Sequence, residues 1–240
     1  YGALDGRGDM QFDSKRNADI QANESANLSI AFPSTYDDPE LGRVVEESAP
    51  RIERALACAD LYGALGGRSR NGWGSFQLVP GEGTQALSGT LPVRDWRQCL
   101  DRDWPHAIGR DDKGPLIWQT ESDNDWKVLM KTLAILKIGL RTQFRFTGRG
   151  NAPNPEARHW LSYPVTNHPV TPWGNNARLP NSLRFKVRRA GDGKLVGAIF
   201  HIPHLPPSDF HPNRQVIANV WAQVHGFLDQ PAQGLTRISV

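Results

Sequence analysis

Along the chain the spacing of apolar residues switches between a helical and a strand period. Ile52, Ala55, Leu56, Ala59 and Tyr62 fall at helical spacing behind Ser48 and Pro50, a pairing that signals a helix start. That helix is expected to stop at Gly63 or at Gly66-Gly67, where glycine can take a left-handed cap. Leu129, Leu133, Leu136 and Leu140 define a second helix, capped by Ser122 or Asp123 and running to about Thr142. Lys127, Lys131, Lys137 and Arg141 lie on roughly its opposite side. Ile217, Val220, Val224 and Leu228 give a third helix over Asn213 to Leu228.

Alternation or short apolar runs mark the strands: Leu28 to Phe32, Phe76 to Val79, Leu116 to Gln119, Ser182 to Arg188, Leu195 to Ile202 and Leu235 to Val240. In Ser182 to Arg188, Leu183, Phe185 and Val187 share one face, and Arg184, Lys186 and Arg188 share the other. Ala190-Gly191-Asp192-Gly193 is a turn that makes the next strand its hairpin partner. From Gly114-Pro115 onward the order is β-α-β-β-α-β, the ferredoxin-like motif. Residues 28–79 read as the back half of a similar unit. The expected fold class is therefore α+β, with two ferredoxin-like (RRM-like) units, the first incomplete at its start. The units span 1–80 and 115–240. A connector over 81–114, rich in Gly, Pro, Asp and Arg, carries Trp96 and Trp104 and so should pack on something. Residues 147–181 form a proline-rich loop of a length usually reserved for function or partner binding.

Composition narrows the class. The 240 residues are 38% hydrophobic and 22% charged, as in a soluble globular chain, and no stretch approaches a membrane span. Cys58 and Cys99 make no disulfide framework and no Cys-x-x-Cys pair, so a cytoplasmic setting without a thiolate zinc site is expected. The formal charge is +3, with the excess in arginine, whose planar fork suits phosphate.

The most informative segment is Gly63-Ala64-Leu65-Gly66-Gly67-Arg68-Ser69-Arg70-Asn71-Gly72-Trp73-Gly74-Ser75-Phe76. Its glycines let backbone N–H groups approach an anion, Arg68 and Arg70 bring charge, and Trp73 and Phe76 can stack on bases or pack beneath the loop. It follows a helix and precedes a strand, the reverse of a dinucleotide fingerprint, and it lacks the Gly-Lys-Ser/Thr of a Walker loop. A glycine-rich turn with solvated arginines reads equally well from composition alone.

This run resembles the glycine-rich signature of RAMP proteins in CRISPR–Cas systems, most nearly the form found in the first subunit of type III-B Cmr complexes. Ala64 stands where a paired glycine is usual. Arg158-His159-Trp160-Leu161-Ser162-Tyr163-Pro164 and Arg178-Leu179-Pro180-Asn181-Ser182-Leu183-Arg184-Phe185-Lys186-Val187 are similar to a later segment of the same family, with Asn181-Ser182-Leu183 departing from Ser-Pro-Leu. The resemblance implies an RRM-related fold, contact with CRISPR RNA or target RNA, partnership with other Cmr/RAMP subunits, and no cofactor. The RNA-binding set expected is Gly66, Gly67, Arg68, Arg70, Asn71, Gly72, Trp73, Arg141, Arg145, Arg149, Arg184 and Lys186.

Other candidates weigh less. The lysines of the second helix read as a phosphate-tracking stripe or as a solvated face, while Arg145 and Arg149 beside Gly148 and Gly150 favour contact. The strand cations read as an RNA platform or a charge-protected edge. His201, His204 and His211 sit among prolines at spacing unsuited to a metal, and His159 and His168 occupy the long loop. Asp5, Asp9 and Asp13 read as a solvated polar loop. A non-catalytic RNA-holding subunit of an antiviral effector is therefore expected. The alternatives are a RAMP-type endoribonuclease and, more remotely, an enzyme that cradles a small anion.

Overall fold

The computed structural model describes residues 3–4, 7–11, 22–32, 38–66, 69–174 and 176–238. Gly67, Arg68, Asp5 and Asp13 lie outside the described residues. The fold is α+β. Its elements in order are β1 (Ala3–Leu4), β2 (Met10–Gln11), α1 (Pro39–Tyr62), β3 (Val93–Asp95), α2 (Trp96–Cys99), β4 (Ile108–Asp111), β5 (Gly114–Pro115), β6 (Ile117–Thr120), α3 (Trp126–Thr142), β7 (Leu183–Arg189), β8 (Leu195–His201), α4 (Arg214–Leu228) and β9 (Leu235–Arg237).

The carboxy-terminal half follows the spacing closely. β6, β7, β8 and β9 form one sheet in the order β7-β8-β6-β9, every pair antiparallel. The hairpin closes over residues 190–194, where Gly193 at φ +81° accommodates the turn and Arg189 pairs with Leu195. α3 begins at Asp125, whose side chain accepts from the Lys127 N–H. The expected cap Asp123 instead bonds the Leu195 backbone in both directions. Leu129, Met130, Leu133, Leu136 and Leu140 of α3 are buried against the sheet, each stabilising the fold by about 2 kcal/mol. Ile217, Val220, Trp221, Val224 and Leu228 of α4 join the same core.

The amino-terminal half departs from expectation. α1 starts at Pro39, not near Ser48, because Asp38 caps the Glu40 and Leu41 N–H groups at 3.0 and 3.1 Å and Pro39 fills the first turn. The helix runs through Pro50, which forfeits one intrahelical bond without ending it. It ends before Gly63, whose φ of −84° is not a left-handed cap. Residues 28–32 are no strand: they pair with no strand among the described residues, and Leu28 is 63% exposed. Residues 76–79 are no strand either, because the Leu78 N–H is taken by the Asp60 carboxylate at 2.7 Å. The strand–helix–strand order expected there is absent among the described residues.

The stretch expected as a connector carries a three-stranded sheet, β3-β4-β5, with β3 parallel to β4. Trp96 and Leu100 are buried in the same cluster as α3 and α4. Ile108, Ile117, Phe200 and Ile202 form a second cluster on the other side of the large sheet, covered by Tyr62, Leu91 and Val93. The tip of α1 thus lies over the sheet face opposite α3 and α4.

Candidate nucleic-acid interface

The glycine-rich loop is fixed at its root. Ala64 bridges Ser75, and the Leu65 N–H donates to the Gly74 carbonyl at 2.9 Å. Gly74 sits at φ +68°, and a Cβ there would fall 1.8 Å from the Leu65 carbonyl oxygen, so only glycine fits. Gly72, at φ +89°, is buried with its missing side chain facing Met130 of α3. Its small size seats the loop on the protein rather than on a ligand. The Ser75 hydroxyl holds the Val187 N–H at 3.0 Å, and Asn71 bridges Phe185, so the loop runs along β7. Gly66, at φ +82°, is exposed, and a Cβ added there would meet none of the described residues within 4 Å.

The aromatics of the loop face inward. Trp73 is half-buried, packs on the main core and meets Trp126 edge-on at 6.2 Å. Phe76 lies under the Lys186 ammonium at 4.6 Å.

The three cations of β7 do not form an open platform. Lys186 is 1% exposed, and its Nζ donates to the Gly63 carbonyl at 2.6 Å. Burial, chiefly, lowers its pKa to about 8, against the pull of nearby Asp60. Alternation puts these residues on one face correctly, but that face is covered by α1 and the loop. Arg188 is half-buried and reaches Gln119 at 3.4 Å.

Arg184, at the other end of β7, stands beside Arg70 of the loop. Burial and then the neighbouring Arg70 bring the Arg184 guanidinium down to about 10, and burial lowers Arg70 as well. The Arg184 Nε is out of solvent with no hydrogen-bond partner among the described residues. Among the described residues neither arginine has a carboxylate at ion-pair distance. His204 lies within electrostatic reach of both arginines. Its Nδ1 donates to the Ile202 carbonyl at 3.0 Å, which leaves Nε2 as an acceptor. Burial first, then Arg184, Arg70 and His106, hold its pKa below the usual histidine range. No local pattern joins His204 to the loop, since 134 positions separate it from Arg70.

The remaining expected residues follow from α3. The Lys137 ammonium bonds the Asn71 side-chain oxygen. Arg141, one turn further on, is half-buried and lies near Arg158, a residue outside the expected set. Arg145 and Arg149 are exposed on the loop that follows. Asp9, of the acidic amino-terminal stretch, pairs with Lys131 at 2.9 Å.

The long loop over 147–181 is packed rather than open. Trp160, Leu161, Tyr163, Val170 and Leu179 are buried, and the Tyr163 hydroxyl links the Gly174 carbonyl and the Val170 N–H. His201 is fully buried between the Ser182 hydroxyl and His225, each at 2.9 Å. Among the described residues no group of three or more His, Cys, Asp or Glu side chains is placed to hold a metal, and no helix is long and apolar enough to cross a membrane. Compared with known proteins, the chain matches no family model, no curated protein and no solved structure.

Proposed function

We propose that the chain is a non-catalytic RNA-binding and assembly subunit of a cytoplasmic type III CRISPR effector, related to the RAMP proteins. Guide or target RNA is held at the glycine-rich loop. The observation that carries this reading is the Arg70–Arg184 pair, two partly desolvated guanidiniums with no carboxylate beside them among the described residues. Like charges held together out of water raise the energy of the empty site. A phosphate oxygen accepting from both removes that cost. The order β7-β8-β6-β9 supports a ferredoxin-like second unit, because β8 separates β6 from β7 and β6 separates β8 from β9. Arg145 and Arg149 extend the positive track. Lys186 belongs to the scaffold in this account.

His204 gives the cutting alternative its specific foothold, since its Nε2 is left as an acceptor and the charges of Arg184 and Arg70 act on its ring. Labelled guide and target RNA incubated with the purified protein, with and without magnesium, separates the two. Binding without cleavage is expected. Cleavage that His204→Gln abolishes makes the chain an endoribonuclease.

A further inference from the structure

The sheet face that α1 and the loop cover is not closed along its whole length. A cleft of about 300 Å³ opens there, beside the β7–β8 hairpin, a size at the small end of ligand-binding pockets. Asp60 and Leu61 line it from the last turn of α1, Phe76 and Gln77 from the segment after the loop, Gln119 from β6 and Arg188 from β7.

The polar groups on these walls are only partly engaged. Asp60 accepts the Leu78 N–H through Oδ1 at 2.7 Å, and its Oδ2 has no hydrogen-bond partner among the described residues. Arg188 reaches the Gln119 Oε1 at 3.4 Å, longer than a good N–H···O bond. The Gln119 amide keeps its own N–H groups to donate. Asp60 and Arg188 are both half-buried and stand on different walls, yet they form no ion pair with each other. Phe76, also half-buried, adds an aromatic surface, and the buried Lys186 ammonium lies over its ring at 4.6 Å.

A carboxylate and a guanidinium that share a cleft without pairing suit a ligand that donates along one edge and accepts along another. The aromatic wall suits a flat one. Among the common nucleobases guanine alone carries two adjacent donors, N1–H and the N2 amino group, and two adjacent acceptors, O6 and N7. A carboxylate accepts from the first pair, and arginine donates to the second. Adenine sets an acceptor beside its amino donor, and a carboxylate repels that acceptor.

We propose that this cleft is a guanine-binding pocket. Asp60 takes the N1/N2 edge, Arg188 and Gln119 take the O6/N7 edge, and Phe76 takes the face of the base. On the RNA-holding reading, on which this further step rests, the ligand is an unpaired guanine of the strand seated at the loop, since Phe76 directly follows the loop root at Ser75.

The test is thermal unfolding of the full chain in guanosine 5′-monophosphate and in adenosine 5′-monophosphate, for the wild type, Asp60→Asn and Arg188→Gln. The two nucleotides share a phosphate, so a difference between them reports the base. Asparagine keeps an oxygen for the Leu78 N–H but sets an amide donor where the pocket needs an acceptor. At ten times its Kd the guanine nucleotide should raise the wild-type midpoint by about 4 °C, and the adenine nucleotide at that concentration by under about 1 °C. Both variants should lose the difference. Should Asp60→Asn unfold early, Arg188→Gln carries the same comparison. Equal midpoints in the two nucleotides for the wild type, or a guanine preference that the substitutions leave intact, overturns the pocket. Twelve-residue oligouridylates with one central guanosine or adenosine then test the RNA step. About tenfold tighter binding of the guanosine strand by the wild type, lost in Asp60→Asn, is expected. Equal binding of the two strands beside an intact nucleotide response overturns the RNA step and assigns the pocket to a free guanine nucleotide. Failure to bind either strand, beside that same response, contradicts the RNA-holding reading and leaves the pocket standing.

Discussion

The Lys186 ammonium donates to the Gly63 carbonyl at 2.6 Å, joining the middle of β7 to the root of the glycine-rich loop across 123 positions of sequence. With the Ser75–Val187 bond and the Asn71–Phe185 bridge, it lays the loop along the strand so that Arg70 meets Arg184. Contacts between the root of the loop and β7 therefore set the geometry of the two arginines.

Burial lowers the Lys186 pKa from an ordinary 10.5 to about 8. Between those values the unfolded chain still binds the proton that the folded chain has released, so this group makes stability rise with pH across the window. Lys186→Met removes that contribution. Urea midpoints at pH 7.5 and pH 10 should show the wild type gaining on the variant; parallel changes in the two chains would mean that the charge is not desolvated.

The His201–His225 pair predicts acid sensitivity above the carboxylate range. Burial holds His201 well below its usual value and brings His225 down to about 3 from 6.5. Their stabilising neutral forms are complete above pH 6.5, and stability is lost as pH falls below it, because the unfolded chain takes up the protons. The His225 shift alone costs about 2 kcal/mol by pH 5. His225→Gln should shrink the loss between pH 7.5 and pH 5, read by urea unfolding, by about that amount. A variant as acid-sensitive as the wild type contradicts the assignment.

Two glycines of the loop should respond differently to alanine. Gly74→Ala places a Cβ against the Leu65 carbonyl and should cost more than about 2 kcal/mol. Gly66→Ala meets open space and bears only the strain of its positive φ, about 1 kcal/mol. Chemical unfolding of both variants checks the order; equal losses would place the constraint elsewhere than in the Leu65–Gly74 pairing.

How far the sequence reaches depends on what each signal measures. Helix α4 and the β7–β8 hairpin are legible because their periodicity and turn residues are local properties. The start of α1 is hidden because Ser48-Pro50 imitates a first turn, while Asp38-Pro39 supplies the real one. Leu28 to Phe32 alternates like a strand, but alternation cannot supply a partner edge. The same limit hides the fate of Lys186, since period 2 assigns a face and not what covers it. Arg70 and Arg141 are legible as cations in a suggestive context. The closeness of Arg184 to Arg70, and the electrostatic reach of both to His204, come only from what tertiary packing brings beside them.

The most direct test of RNA holding is the salt dependence of guide-RNA binding by Arg70→Ala/Arg184→Ala, compared with the wild type at matched thermal stability. The account predicts weaker binding and a plot of log affinity against log salt that is shallower by about 0.7 for each phosphate the variant no longer holds. Unchanged affinity and slope in the double variant would contradict it.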